Sequence, residues 1–467
     1  MKRSRLSICI CLSFLVALFL FSGCAHFPVN QALKDSHSND AYSLDRFNAS
    51  EDTDKTFVIL TLSGGGTRAA AFAYGVLEEM RKTLLPGTGK TLLDELDVIS
   101  TVSGGSFTGA YYALFGQRIF EDYREKFLYR NIQGELVSSL LNPATLVRLA
   151  SPYFSRADLA AELYDRTIFE GSTFLTLTKR GTRPFLIINA TNLHTGSSFE
   201  FTGNQFDYIG SDILSFPVSR AVAASSAFPF LLAPITLFNQ PYPDGYTMPE
   251  ADRLALKDYE YNKGRYYRAL NDVLYADKEN HPYLHLMDGG LADNIGLRSV
   301  QDLYIRGAIR KKINNGAISR LLVIVVNAKT EPQETFDKKE SPPGLVTVAM
   351  KTATVSLDNY SFETVESIKR LFSDRIQAQM NIEGCQKKLD EHCKNGYTLP
   401  PLVGGSMKLY VADISFDNLT EDAEKTFLKH LPTSFHLERD QVDRLISAGS
   451  LLLREHPEFK TFIDEYR

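Results

Sequence analysis

Phe57-Val58-Ile59-Leu60-Thr61-Leu62 passes through Ser63 into Gly64-Gly65-Gly66-Thr67-Arg68, and an alanine-rich stretch from Ala69 to Met80 follows at once. The apolar run is the length of a buried strand, and the alanine-rich stretch favours a helix. Between them the glycines form a turn with no side chains in the way, so the first N–H groups of the helix face into it. Those N–H groups lack intrahelical acceptors and sit at the positive end of the helix dipole, so the turn is suited to negative charge. That charge is either a phosphate or the oxyanion of an ester under attack. A P-loop needs Lys-Ser or Lys-Thr after its last glycine, and neither is present. A dinucleotide turn counted from Gly64 needs glycine at 69, where Ala69 stands. A third reading is a structural turn whose glycines only permit close helix–strand packing.

A second stretch works in the same way. Leu96-Asp97-Val98-Ile99-Ser100-Thr101-Val102 reads as a buried strand, β-branched through its second half. It enters Ser103-Gly104-Gly105-Ser106, and a small-residue helix from Phe107 to Phe115 follows. Strand, sharp turn with a serine at its tip, then helix is the setting of a nucleophile elbow. The usual G-x-S-x-G has Thr101 at its first position here, and Ser106 is a rival serine followed two residues on by Thr108. A serine that merely caps a helix is the alternative. A serine nucleophile needs a base. Of the nine histidines, only His281 and His285 lie near a strand end. Beside them Tyr283-Leu284-His285-Leu286-Met287 ends in Asp288-Gly289-Gly290, an aspartate placed to lie against a serine from a neighbouring strand, or simply a turn.

Taken in order, the glycine turn, the serine elbow and the Asp-Gly-Gly resemble the patatin-like phospholipases. Further segments agree: Arg220 to Pro229, containing Ala224-Ser225-Ser226-Ala227-Phe228-Pro229; Asn189-Ala190-Thr191-Asn192 leading to Phe199-Glu200-Phe201-Thr202; and Asp288 through Asn294. The resemblance covers about residues 55 to 330. It implies an α/β, three-layer fold with a central, mostly parallel sheet flanked by helices. It implies a Ser103–Asp288 dyad without histidine, an oxyanion hole from the N–H groups of Gly65 and Gly66, and no cofactor. Arg68 matches the family's basic residue after the glycines, either to hold a substrate phosphate or to brace the loop. The expected substrate is an acyl ester of a membrane phospholipid or lysophospholipid. A non-catalytic lipid- or partner-binding protein on a degenerate scaffold is the alternative that Thr101 raises.

The N-terminus bears on location. Lys2, Arg3 and Arg5 precede an uncharged stretch from Leu6 to Phe21, closed by Ser22-Gly23-Cys24. These are the regions of a secretory signal. Gly23-Cys24 resembles a bacterial lipobox, in which Cys24 carries lipid and becomes the first residue; an uncleaved anchor is the other reading. Both put the body at a membrane surface outside the cytoplasm, in a bacterial envelope on its outer-membrane or periplasmic side. Cys9 and Cys11 lie in the signal, leaving Cys385 and Cys393 as an expected disulfide or as two unpaired thiols. With His392 they make no complete metal set. The whole chain carries −5, and the first 23 residues hold three basic and no acidic side chains, so without them it carries −8. No basic cluster interleaved with aromatics suggests nucleic acid.

The organisation expected is a signal over 1–23, a flexible polar tether over 24–54, and a catalytic core over 55–330. Within the core, 239–280 reads as an insertion or lid. Residues 331–467 pack on the same sheet, with a helix over Leu345 to Met380, a strand over Met407 to Ile414 and a helix over Glu438 to Arg454. Leu136 to Tyr164 is helical in pattern and expected to cover the site.

Overall fold

β1 (Thr56–Leu62) and β2 (Leu96–Val102) are buried at every position. Continuous apolar runs of this kind belong to strands covered by helices on both faces. The computed structural model describes residues 26–47, 55–229, 231–331, 338, 340–393, 396–400 and 407–466. The remaining strands are β3 (Phe185–Asn192), β4 (Ser198–Glu200), β5 (Ile235–Phe238), β6 (Tyr283–Asp288), β7 (Arg320–Asn327) and β8 (Lys408–Ser415). The sheet order is β5-β6-β3-β2-β1-β7-β8, with β4 paired to β3. From β3 to β8 the pairing is parallel; β6 lies antiparallel to β3 and β5 antiparallel to β6. The fold is thus α/β with a mostly parallel sheet, as the sequence implies.

Register sets the site. Leu62 pairs with both Thr101 and Val326, and Val102 pairs with Asn189, so β1, β2 and β7 end on a common edge. Loops leaving that edge form the crevice where sheets of this kind bind ligands. Ser103 follows Val102 and is level with Ala190, which pairs with Asp288 of the antiparallel β6. Serine and aspartate are therefore not on neighbouring strands, as the sequence suggested. β3 runs between them, and Ala190 presents only a methyl where their side chains meet.

Helices α1 (Gly66–Lys82) and α2 (Gly104–Phe115) follow β1 and β2 directly. α3 (Ile132–Leu140), α4 (Pro143–Leu149) and α5 (Arg156–Tyr164) form the layer beside the crevice. α6 (Val218–Ser225) is buried throughout. α7 (Lys263–Leu274) lies within the expected insertion. Arg268 of α7 pairs with Glu200 and Asp302, and Asp272 with Arg306 at 2.5 Å, which docks the insertion by the β3–β4 hairpin. No residue of 239–280 lines the catalytic cavity.

α8 (Leu345–His392) continues well past the expected end at Met380. Cys385 lies within it and Cys393 at its C-cap, and both are exposed free thiols. The expected disulfide is not formed. Eight residues of helix separate the two Cα atoms by about 12 Å, whereas a disulfide needs them within roughly 7 Å. α9 (Arg439–Glu455) returns to the core and crosses α1 at backbone contact. A Cβ on Gly75 would stand 2.0 Å from the Ile446 carbonyl oxygen, and one on Gly449 2.3 Å from that of Phe72. The Ser450 hydroxyl seals the crossing by donating to the Gly75 carbonyl at 2.7 Å.

The N-terminal segment also differs from expectation. The described part of the expected tether, residues 26–47, is docked on the body. Tyr42 is fully buried and its hydroxyl donates to the Leu186 carbonyl at 2.7 Å. Asn39 is buried too; its Nδ2 donates to Asp207 Oδ1 at 2.8 Å and to the Ser211 carbonyl at 2.9 Å, and its Oδ1 accepts from the Ile213 N–H. Within the polar run that looked like a solvated linker, Asn39 instead satisfies backbone groups of the body. Cys24 and the Leu6 to Phe21 stretch lie outside the described residues. Among the described residues no helix is long and apolar enough to cross a membrane.

Candidate active site

Ser103 sits between β2 and α2 with φ 47 and ψ −117. A serine at positive φ is strained, and such strain is held only where the surroundings determine it. Two contacts do so. The Ser103 N–H donates to Ser225 Oγ at 2.8 Å, and Ser225 Oγ donates in turn to the Asn189 carbonyl at 2.6 Å. The glycines beside the serine are required by space. A Cβ on Gly105 would lie 2.7 Å from the carbonyl oxygens of Leu62 and Ser63, and one on Gly104 2.1 Å from that of Gly66.

Thr101, the departure from the elbow pattern, is accommodated. Its hydroxyl donates to the Ile187 carbonyl at 3.1 Å, and its methyl lies over Gly109, where a Cβ would approach within 2.4 Å. The rival Ser106 is fully buried, with its hydroxyl 3.0 Å from both Thr101 Oγ1 and Ser225 Oγ, so it faces inward.

Asp288 ends β6 and lines the same cavity as Ser103, whose hydroxyl favours its ionised form. Gly290 N–H donates to Asp288 Oδ1 at 2.8 Å, and the Asp288 carbonyl accepts from Thr191 Oγ1 at 2.8 Å. Burial pushes the Asp288 carboxyl up to about 6, with the Gly290 N–H and the Ser103 hydroxyl pulling the other way. Desolvation dominates because the ionised form loses water that two hydrogen bonds do not replace. Gly289 has no room for a side chain, since a Cβ would be 2.2 Å from the Asn189 carbonyl oxygen.

Gly65 and Gly66 enter α1 with φ 139 and 61. Their neighbours' amides are used: Gly64 N–H donates to the Asn294 carbonyl at 3.0 Å and Thr67 N–H to that of Ser434 at 2.9 Å. The N–H groups of Gly65 and Gly66 have no such acceptor among the described residues and border the cavity with Ser103. Arg68 borders it as well. Its Nε, Nη1 and Nη2 donate to the Ala328 carbonyl, the Leu431 carbonyl and Thr433 Oγ1 at 3.1, 2.9 and 3.1 Å. Arg68 therefore braces the loop, and it does so through neutral acceptors. Burial pulls its guanidinium down to about 10.

The cavity measures about 240 Å³ and joins Gly64–Gly66, Ser103, Asp288 and Asn294 to Gln133, Phe228 and the 433–435 loop. No histidine lines it. His285 is exposed, three residues before Asp288 on the opposite face of β6, with Nδ1 3.0 Å from Thr236 Oγ1; His281 faces His194. A larger polar cavity of about 610 Å³ lies by the N-terminal segment and contains none of these groups. Among the described residues no cluster of three or more His, Cys, Asp and Glu side chains could hold a metal ion.

Sequence reading placed Ser103, Asp288, Gly65, Gly66 and Arg68, and the structure brings all five to one cavity. It quoted Ser225 and Asn189 without giving them their task of holding the elbow. It missed the 433–435 loop altogether, which meets the glycine turn through the Ser434 carbonyl, Arg68 through Thr433 Oγ1 and the cavity through Phe435, from far along the chain and without a motif.

A buried elbow serine, a carboxylate at the end of the next-but-one strand and a glycine-lined helix N-terminus share one cavity at the edge of the α/β sheet. The chain belongs to the patatin-like phospholipase family, a family of lipid acyl hydrolases, whose sequence profile matches residues 60–300. Among solved structures it is similar to human GIVD cytosolic phospholipase A2, at 13% identity and TM-score 0.46, over 92% of this chain and 66% of that one. The same human enzyme with methyl gamma-linolenyl fluorophosphonate gives 13% identity and TM-score 0.41, over 92% and 63%. VipD from Legionella pneumophila gives 12% identity and TM-score 0.30, over 94% and 71%. This chain thus spans less than two thirds of the human enzyme's length in each comparison. No curated protein matches it.

Proposed function

We propose that the protein is a serine lipid acyl hydrolase of the phospholipase A or lysophospholipase type, working through Ser103 and Asp288. The observation that carries this reading is the meeting of a buried elbow serine, Ser103, and a buried carboxyl, Asp288, on one cavity with the N–H groups of Gly65 and Gly66; burial pushes that carboxyl up to about 6. A base near that value is ionised at neutral pH and still takes a proton readily, and such catalysis contributes about 10²- to 10⁴-fold. Asp288 accepts the Ser103 proton as Oγ attacks the acyl carbonyl. The oxyanion forms against the N–H groups of Gly65 and Gly66, each worth about 3 kcal/mol at the transition state. Asp288 then passes the proton to the leaving alcohol and activates the water that frees the fatty acid.

Arg68 is read as serving both uses. Its hydrogen-bond partners are neutral, so its guanidinium is not tied up in a direct ion pair at the cavity wall, which favours a phosphate-bearing ester. The sequence of residues 1–24 supports export and lipid attachment at Cys24, hence a membrane-tethered enzyme of the bacterial envelope.

A fluorophosphonate probe tests the reading. It should label the wild-type chain and not Ser103→Ala, and the purified protein should release fatty acid from phospholipid or lysophospholipid. Labelling that persists in Ser103→Ala, or a wild-type protein inert towards both probe and lipid, would overturn it.

A further inference from the structure

A groove of about 230 Å³ opens from the catalytic cavity and shares with it Gln133, Ser226, Phe228, Leu231 and Phe435. Its far walls are Leu136, Val137 and Leu140 of α3, with Leu159 and Leu232. The groove does not end in the core. It opens on a face where large aliphatic side chains stand in solvent: Leu141 is 78% exposed, Leu231 58%, Val137 56% and Leu146 53%. An apolar patch of this kind, continuous with a binding groove, marks an interaction surface.

The face carries few charges, with Arg156 exposed at the groove wall. Between Asn131 and Tyr153 the only charged side chains are Glu135 and Arg148, in a chain where 23% of residues are charged. Both are neutralised: Glu135 by Arg130 at 2.5 and 2.9 Å, Arg148 by Glu162 at 2.8 Å with its guanidinium over the Phe154 ring. Nothing here would specify a charged partner.

The N-terminal segment supplies the third observation. Its first described residues dock at the edge of this same face. The His26 ring stacks on Tyr153 with centroids 5.2 Å apart, and Phe27 N–H donates to the Tyr153 carbonyl at 2.9 Å. Tyr153 is itself 55% exposed. Cys24 is two residues upstream, so no more than roughly 7 Å of chain separates it from His26.

We propose that residues 132–153 with Leu231 form the surface on which this protein seats against a phospholipid bilayer. The groove leads one acyl chain from that bilayer to Ser103, and the docked N-terminal segment holds the Cys24 anchor at the same face. The acyl-chain part rests on the hydrolase reading; the seating does not. A chain that carries −8 without its first 23 residues gains little from anionic lipid, so contact comes from apolar insertion. Side chains of interfacial helices enter the headgroup–acyl boundary by about 5–10 Å. A long flexible tether would leave orientation free, whereas a segment docked on Tyr153 from His26 onward restricts it.

The chain contains no tryptophan, so single substitutions report cleanly. The full-length protein is reconstituted into phosphatidylcholine vesicles with brominated acyl chains. Leu141→Trp and Leu146→Trp should lose about half their fluorescence or more, as expected for residues at the acyl boundary. Leu84→Trp and Tyr261→Trp, exposed by 67% and 92% on other parts of the body, should be nearly unaffected. In parallel, Leu141→Asp combined with Leu146→Asp should lower hydrolysis of vesicle phospholipid about tenfold and leave turnover of a dispersed short-chain ester unchanged. Equal quenching at all four positions, or none at 141 and 146, overturns the seating. A concentration-dependent dimer in sedimentation that Leu141→Asp disperses assigns the face to a second copy and overturns it too. If quenching follows the expected pattern while the wild-type chain cleaves no ester, the hydrolase reading fails and the seating stands.

Discussion

The Ser103 amide donates to the hydroxyl of Ser225 across 2.8 Å, and that hydroxyl donates onward to the Asn189 carbonyl. One side chain from α6 thus ties the strained elbow of β2 to β3. Ser225→Ala leaves the buried Ser103 N–H without its acceptor, which costs about 1–3 kcal/mol. It also frees a residue at φ 47 to relax, moving the hydroxyl relative to Asp288. Since a 1 Å displacement of a reacting group can lower a rate about 100-fold, kcat should fall by more than tenfold while KM changes little. Steady-state kinetics on a short-chain ester, with thermal unfolding alongside, would check this. A KM effect alone would remove Ser225 from the positioning role.

Asp288 sets an opposition between stability and activity. Its carboxyl rises from an ordinary 3.8 to about 6 on folding because it is buried. The folded state therefore holds the proton more tightly than the unfolded chain. Stability contributed by this group is full below the unfolded value, falls as pH rises between about 4 and 6, and is flat above. The loss is about 3 kcal/mol. Asp288→Asn keeps the shape and the acceptor for Gly290 N–H without the charge. It should raise stability at pH 7 by up to that amount and flatten its pH dependence in that window, while ester hydrolysis is lost. In the wild type, kcat/KM should rise tenfold per pH unit up to about 6 and then level. His281→Gln and His285→Gln should leave the profile in place. Denaturant titrations at pH 4.5 and 7.5, with pH–rate curves, measure both halves.

The parts of this fold that were legible are those whose chemistry is local. An apolar run, a glycine turn and a helix announce themselves at 57–80 and 96–115, and the structure places α1 and α2 there. Asp288 was legible by its strand and its glycines, but the intervening β3 was not, because register across a mixed sheet is a non-local property. The Thr433–Phe435 loop was invisible, since it acts on the glycine turn through the Ser434 carbonyl, which every residue type carries. Composition misled at the N-terminus. Ser36 to Asp40 is polar enough for a linker, yet Asn39 is buried with all its polar atoms paired. The cysteine count misled because parity says nothing of a helix holding two thiols apart.

That last geometry gives a direct test. Cys385 and Cys393 should both alkylate in the native protein without reductant, as mass mapping of labelled peptides would record. Changing both to serine should alter stability by no more than about 0.5 kcal/mol, the usual range for surface positions. A native peptide containing a 385–393 bridge would mean that the end of α8 is unwound.

Gly66→Ala should be among the most damaging single changes in the core. A Cβ there would lie 2.3 Å from the Ser434 carbonyl oxygen, and the residue has φ 61, which alanine adopts only with strain. The strain alone is about 1–2 kcal/mol, and relieving the clash would push the 433–435 loop away from the glycine turn. Soluble yield and unfolding midpoint should both drop. Ser434→Ala, which keeps the carbonyl, should fold normally; a comparable loss there would show that the side chain, not the backbone, supports the turn.

Arg68 separates bracing from substrate recognition. Its three hydrogen bonds all go to neutral acceptors, so no carboxylate is paired directly with its guanidinium among the described residues. Arg68→Met removes both the bonds and the charge. If bracing were its only task, the turn would loosen and every ester would suffer alike. If the charge also receives a phosphate, phospholipid should lose more than an uncharged short-chain ester, by about tenfold in kcat/KM, the value of roughly one charge-assisted hydrogen bond. Arg68→Lys keeps the charge but cannot span three acceptors with a planar fork. It should therefore restore the preference for phospholipid while remaining less stable than the wild type. Measuring kcat/KM for the two esters across the wild type and both variants decides the matter. A constant ratio across all three proteins confines Arg68 to holding the 328 and 431–433 backbone against the glycine turn.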